Sequence, residues 1–407
     1  MCLKVAPKVQ DPYANNPSHK AFTRAFLSQS TVDFGEDNFL ASPLGVLFTL
    51  GILLGSGGAQ GKTSYQIAKT MRLKSANFPW NISETQQEMK SLYKELSDSL
   101  TMENTTLDGN EVKVVRISTG VFTQETYDVE SNFNQSIKND FGGELLTVDF
   151  TNQTNAAHDI NKWVNEHSNG LVEEFITDDI PKDAWMILIN IFYFRDYWEN
   201  PFVPYYTSLE NFSVTNNHHL QVPMMSKDEI LKYKKFQEDG FEIVSKPMKN
   251  TRFSFIILLP LEKWNLNGAI EVLNGNKILS HYVDKLEETS VSLKMPKFTL
   301  TKKLQLVGTL KSIGIKNLFD PLKADLSGIS SKNNLYVNSF IQINVMKVNE
   351  SGIEAASVTS PIIVPISALI PDVNFHVTHP FICFIYDQQL TMPLLAAKVS
   401  IQCYNLM

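Results

Sequence analysis

The chain has 407 residues, a formal net charge of −7, and 43% hydrophobic and 19% charged residues. That balance gives ample core for a globular protein, and the negative charge argues against a nucleic-acid partner. No apolar run reaches the roughly 18 uncharged residues of a transmembrane helix. Met1–Lys20 is polar and proline-spotted, without the apolar stretch of a cleavable signal. Length alone suggests two or three domains. The three cysteines, Cys2, Cys383 and Cys403, give no disulfide framework; Cys383 lies in an apolar run and reads as a small buried hydrophobe. Six Asn-x-Ser/Thr sequons begin at Asn81, Asn104, Asn134, Asn152, Asn211 and Asn349. Chance accounts for about that many, so they say little about secretion.

In chain order, residues 18–31 have the apolar spacing of an amphipathic helix. Ser42-Pro43 is a strong helix start, a capping side chain followed by proline in the first turn. The helix it opens, Leu44–Gly55, is apolar nearly all round and therefore central. Gly61-Lys62-Thr63 invites a phosphate-loop reading, but the glycine that motif needs falls on Ser56. Ser83–Leu100 reads as a helix whose lysines are interleaved with glutamates, a solvated face rather than a basic patch. Met102–Glu111 reads as a loop, Val112–Thr123 as a strand, and Tyr127–Phe141 and Asn155–Glu166 as helices. The continuous apolar run Ala184–Phe194 suits a strand buried on both faces. Its one polar residue, Asn190, must then have hydrogen-bond partners.

Val222–Met225, Phe253–Leu259 and Val291–Leu300 read as further strands, and Thr301–Ile313 as a helix closed by Gly314. Leu335–Lys347 reads as a long strand, and Phe381–Tyr386 with Leu394–Ile401 as a final strand pair. Helices dominate early and strands late, which indicates α+β rather than alternating α/β. No His-Glu-x-x-His or Gly-x-Ser-x-Gly occurs, and His218 and His219, adjacent in a polar stretch, make a poor metal pair. The residues give no positive argument for catalysis.

The segment Val345–Pro371 stands apart. It begins as a strand, breaks at Glu350-Ser351-Gly352, and continues with small or uncharged residues; Glu354 alone carries charge between Gly352 and Ile370. Gly352 can take backbone angles that other residues resist. Pro361, Pro365 and Pro371 then oppose helix and central strand alike. Extended, Ile353, Ala355, Ser357 and Thr359 would share one uncharged face that could be buried. The segment also reads as a surface loop between two strands, although loops of this length in a compact domain are usually functional.

The stretch Val348–Ala356 resembles the hinge pattern of the serpin family. Asn38 with Ser42-Pro43, Leu188–Phe194 through Trp198 to Phe202, Val222–Met225, Leu318-Phe319, Ala324–Ile329 and His379–Phe381 match the family in order and spacing. The resemblance covers essentially the whole chain. It implies one domain over 1–407, three β-sheets with eight or nine helices, and an exposed reactive-centre loop over 350–371. The hinge would be 350–357, with Glu350, Gly352, Ile353, Glu354, Ala355, Ala356 and Ser357 in that role. It further implies suicide inhibition: a serine protease cuts the loop, is held as an acyl-enzyme, and the loop inserts into the main sheet.

Family spacing from Glu350 places the cut at Ile366–Ser367, while counting back from Phe375 places it one residue later. Val364-Pro365-Ile366 suits an elastase-like pocket, or less well a chymotrypsin-like one; no Lys or Arg lies between Gly352 and Pro371 to suit a trypsin-like enzyme. The resemblance maps Ser42 and Asn190 onto the cluster where the sheet opens, with Gln342 where the family has His. It maps Trp198, Lys297 and Glu350 onto the top of the sheet, the last two as an ion pair. Ile353 stands where Thr is more usual, and Val358 and Pro361 depart from the small-residue preference. The expected partner is a serine endopeptidase, with no cofactor, no metal and a monomeric state; heparin is not indicated. The competing function is a non-inhibitory carrier or chaperone. An extracellular home is expected, with a cytosolic one open because no signal is visible.

Overall fold

The computed structural model describes residues 18–34, 38–77, 79–101, 104–107, 110–172, 176, 180, 184–274, 279–332, 334–353 and 370–399. Helices α1 (Ser18–Asp33), α2 (Pro43–Gly55), α3 (Gly61–Thr70), α4 (Ile82–Thr101), α5 (Ser131–Phe141) and α6 (Gln153–His167) fill the first part of the chain. Three shorter helices follow, α7 (Leu266–Asn274), α8 (Leu279–Val283) and α9 (Val307–Ser312). The strands β1 (Phe39–Ala41), β2 (Asn104–Leu107), β3 (Asn110–Lys113), β4 (Val115–Gln124), β5 (Glu144–Val148), β6 (Met186–Phe194) and β7 (Asp196–Tyr197) are threaded among them. Then come β8 (Ser208–Thr215), β9 (His218–Phe236), β10 (Phe241–Pro247), β11 (Phe253–Pro260), β12 (Glu287–Pro296) and β13 (Phe298–Gln305). The chain closes with β14 (Ser339–Val348), β15 (Gly352–Ile353), β16 (Val373–His376), β17 (Phe381–Asp387) and β18 (Met392–Val399). The described strands form three sheets, consistent with the α+β expectation.

The main sheet has seven strands in the order β5-β4-β6-β14-β15-β7, with β13 on the other edge of β14. Nine strands form the second, β1-β18-β17-β11-β10-β9-β12-β16 with β8 on β9. β2 and β3 make a separate hairpin. As the apolar run predicts, β6 is buried along its whole length. Met186, Leu188, Phe192 and Phe194 face the main core. Ile187, Ile189 and Ile191 face a second core with Ile160, Trp163 and Val164 of α6. Under the opposite face lies α2, buried at every position; the Ser42 hydroxyl accepts the Gly45 N–H at 3.2 Å and Pro43 opens the first turn.

Several elements differ from the sequence reading. Met102–Glu111 contains most of the β2–β3 hairpin rather than a plain loop. Val291–Leu300 is not one strand: β12 ends at Pro296 in the nine-stranded sheet and β13 begins at Phe298 in the main sheet. Thr301–Gln305 continues β13, so the helix expected over Thr301–Ile313 shrinks to α9. α5 begins only at Ser131, and α3 was not anticipated. Among the described residues no helix is long and apolar enough to cross a membrane.

Candidate functional site

Where β6 and β14 meet, three polar side chains from distant parts of the chain are wholly buried together. The strands pair in parallel, setting Gln342 beside Asn190. Gln342 Oε1 accepts the Ser42 N–H at 2.9 Å, while its Nε2 donates to the Ser42 carbonyl at 2.8 Å and to Asn190 Oδ1 at 3.0 Å. Asn190 Nδ2 donates to the Thr119 hydroxyl and the Ser118 carbonyl, each at 3.3 Å. α2 can approach this closely because Gly45 has no side chain: a Cβ there would lie 2.1 Å from Asn190 Oδ1. The expected trio of Ser42, Asn190 and Gln342 is therefore brought together. Two members were not expected. Asn344 Nδ2 donates to the Leu40 carbonyl at 2.8 Å and to Gln342 Oε1 at 3.1 Å, and the Thr49 hydroxyl lies 3.3 Å from that of Thr119. An apolar-polar alternation along Phe340–Val345 carries the Asn344 signal in the sequence.

At the top of the sheet the chain turns through Asn349–Gly352. Asn349 Oδ1 accepts the N–H groups of Ser351 at 2.9 Å and Gly352 at 3.1 Å, and Asn349 N–H donates to the Gly352 carbonyl at 3.0 Å. Asn349 is itself buried, which argues against glycosylation at this sequon. Trp198 grips the turn twice: Nε1 donates to the Asn349 carbonyl at 2.8 Å and its backbone N–H to that of Ser351 at 2.9 Å. The Glu350 carbonyl accepts Phe202 N–H at 2.9 Å. Its carboxylate meets Lys297 Nζ at 3.1 Å and the Thr207 hydroxyl at 3.0 Å. Trp198, Lys297 and Glu350 thus sit together as expected. The role of Gly352 is corrected: its φ is not in the left-handed region. What glycine supplies is space, because a Cβ would fall 2.2 Å from the Asp196 carbonyl oxygen.

Beneath this turn lies a group the sequence reading missed. Lys246 is fully buried, ion-paired to Glu229, and donates to the Asn200 carbonyl at 3.0 Å. Its ammonium sits 4.8 Å from the Phe202 ring centre and 5.6 Å from that of Trp198. Burial pushes Lys246 down to about 8, against the opposing pull of Glu229. A single lysine in an alternating strand carries no mark of burial in the sequence.

Between β14 and β7 lie the first residues of the loop. Val348 pairs antiparallel with Ile353, and Gly352 and Ile353 pair with Tyr197 and Asp196 on the other edge. Ile353 is buried. The remaining hinge residues Glu354, Ala355, Ala356 and Ser357, and the expected cut region Val364, Pro365, Ile366 and Ser367, lie outside the described residues. The chain is described again from Ile370. The Ser290 hydroxyl donates to its carbonyl at 3.5 Å, and Asp372 N–H donates to the Ser290 carbonyl at 2.8 Å. From there β16 runs parallel to β12. Among the described residues no group of three or more His, Cys, Asp or Glu side chains could hold a metal.

A buried amide cluster between α2, β6 and β14, and a tight turn at the top of the sheet, lie where the serpin resemblance maps them, and the chain belongs to that family. The family model, described as serpin (serine protease inhibitor), matches residues 17–401. The chain is 62% identical to a serpin of known structure from the trematode Schistosoma haematobium, with a TM-score of 0.87 and coverage of 94% of this chain and 99% of that one. Iripin-2 of the tick Ixodes ricinus is 29% identical over 353 residues, 86% of this chain and 84% of that protein. Human thyroxine-binding globulin, solved with its hormone, shares the fold at a TM-score of 0.80 and 23% identity, covering 94% of this chain and 97% of that one.

Proposed function

We propose that the chain is a suicide inhibitor of elastase-like or chymotrypsin-like serine proteases, cut at Ile366–Ser367 and trapping the acyl-enzyme by loop insertion. The observation that carries this reading is β15, a two-residue strand already seated between β14 and β7. Extending its register down both edges brings Ala355 opposite Met346 and Phe194, Ser357 opposite Asn344 and Phe192, and Thr359 opposite Gln342 and Asn190. Each match is uncharged and small enough to enter the core beside Ile353. Val358, atypical for the family, would fall opposite Ile343 and Ile191, which belong to the apolar second core. Glu354 would fall between Lys347 and Arg195. A slot so matched to the loop favours insertion over a passive surface role. From Gly352 to Ile366 the extended chain spans about 50 Å, enough to cross a large sheet.

The test is to mix the protein with pancreatic elastase, chymotrypsin and trypsin in turn. A complex stable on a denaturing gel with elastase or chymotrypsin, and a new N-terminus at Ser367, is the expected result. Loop cleavage with no complex and no rise in unfolding temperature would overturn the reading.

A carrier role is the second reading, and one cavity favours it. An open pocket of about 100 Å³ lies between α1, α7, α8 and the β17–β18 pair, lined by Leu27, Phe39, Ile270, Ile382 and Phe384 with Arg24 at its rim. Its apolar lining with one charge at the rim suits a small apolar ligand. Saturable one-site binding of an apolar fluorescent acid to the native protein would support this reading; no binding at solubility-limited concentration would remove it.

A further inference from the structure

Nine large hydrophobic side chains are exposed among the described residues, and five of them gather where the loop leaves and rejoins the body. Tyr205, Tyr206 and Leu209 flank the outgoing end, with exposures of 89%, 53% and 66%. They are tied to it directly: Thr207, between them, donates to Glu350, and Leu209 pairs with Pro223, whose carbonyl accepts Lys297 N–H at 2.9 Å. Ile230 and Ile370, exposed at 59% and 87%, flank the returning end. Ile230 pairs across β9 and β12 with Ser290, the residue that holds Ile370 and Asp372. Around Ile230 the exposed face is polar: Asp228 and Lys232 precede and follow it on the same side of the strand, and Glu288 pairs with Lys232.

Single exposed apolar residues need no explanation, but a grouping about one functional segment marks an interaction surface. An apolar centre with a polar rim is the composition of a protein-binding patch. We propose that these five side chains form a collar that docks the body of the protease taking the loop as substrate. This rests on the inhibitory reading and its cut near Ile366. That bond lies about 13 Å of extended chain from Ile370. A protease closed on it must overhang Ile370 and Ile230, and a standard interface of about 800 Å² per partner extends well beyond the loop itself. The partner is a serine protease with an apolar rim beside its cleft, on the side that receives residues after the cut. Ile230 is the centre of the collar; the two tyrosines, further from the bond, are its margin.

The test measures second-order association rates of the full-length protein with each protease that forms a covalent complex. Ile230→Glu is compared with wild type and with Leu322→Glu, a still more exposed apolar position in the turn after Asn317–Phe319. Ile230→Glu should slow association about tenfold or more, with unfolding temperature and inhibitor-to-protease stoichiometry unchanged. Tyr205→Ala with Tyr206→Ala should slow it about threefold, and Leu322→Glu should leave it within about twofold. An Ile230→Glu rate within about twofold of wild type overturns the collar while leaving inhibition intact. A wild-type protein that forms no complex with any protease overturns the inhibitory reading and the collar with it.

Discussion

Gln342 treats Ser42 as a neighbouring strand would, accepting its N–H and donating to its carbonyl with one side chain. Replacing it with Ala takes this partner from the buried Ser42 N–H and Asn190 Oδ1, while the Ser42 carbonyl keeps the Val46 N–H at 3.3 Å. Each group so deprived costs about 1–3 kcal/mol when nothing replaces the bond. Gln342→Ala should therefore lower the unfolding temperature clearly, and Gln342→His, which keeps one donor and one acceptor, should lower it less; thermal unfolding measures both. At Gly352 the relevant quantity is distance: Gly352→Ala forces a Cβ against the Asp196 carbonyl and must displace β15. Lys246 gives a pH signature. Its pKa falls from 10.5 unfolded to about 8 folded, because burial disfavours the charge. Between those values the unfolded state holds more of the proton, so stability from this group rises with pH across that window and its burial penalty is fully felt below about 8. The stability of Lys246→Met relative to wild type should accordingly decline from pH 8 to pH 10, measured by denaturant unfolding; a constant difference would refute the assignment.

At the scale of the element, the inserted strand can be tested at Glu354. The extended register sets this single charge of the segment between Arg195 and Lys347, neither of which has an ion-pair partner among the described residues. Thr359 would come between Gln342 and Asn190, whose mutual hydrogen bond must break as β6 and β14 part. Its hydroxyl can both donate and accept, matching the two groups freed. Glu354→Lys should shrink the rise in unfolding temperature that follows loop cleavage, and Thr359→Val should shrink it by less; calorimetry of intact and cleaved protein reads both. Much of this frame was legible in the sequence. Ser42-Pro43 marked α2 and the apolar run marked β6, because capping and double-sided burial are local. What failed was non-local. One residue, Lys297, separates strands of two different sheets, and nothing local distinguishes that from a single strand. The adjacent Lys302 and Lys303 break the alternation of a strand, so Thr301–Gln305 is assigned to β13 only by its pairing with β14. Lys246 acquires its role only through Glu229, Asn200, Trp198 and Phe202, which reach it from other strands and loops.

For the whole molecule, the question is which strand pairing wins once the loop is cut. In the intact protein β6 and β14 pair directly over Ile187–Phe192, and the Asn349–Gly352 turn is held by Asn349 itself, Trp198 and the Glu350–Lys297 pair. Parting β6 from β14 breaks that one parallel ladder and the Gln342–Asn190 bond. A strand entering between them replaces it with two ladders, each backbone bond worth a net 0.5–1.5 kcal/mol, roughly. On the proposed mechanism the connection back to Ile370 would withhold this gain, since a tethered segment cannot run down the sheet and also return to β16. Cleavage anywhere past Thr359 removes the tether. The cut protein should therefore unfold at a higher temperature than the intact one, whichever protease makes the cut. Ala355→Glu separates this from general stiffening. The extended register would set Ala355 opposite Met346 and Phe194, both in the main core, and an unpaired carboxylate there opposes entry of the strand beyond the already seated Ile353. This variant should be cut as readily as wild type but form little covalent complex and gain no thermal stability. Equal complex and equal gain in Ala355→Glu would mean that the loop does not enter beside β14, and the trapping mechanism would have to be given up for this chain.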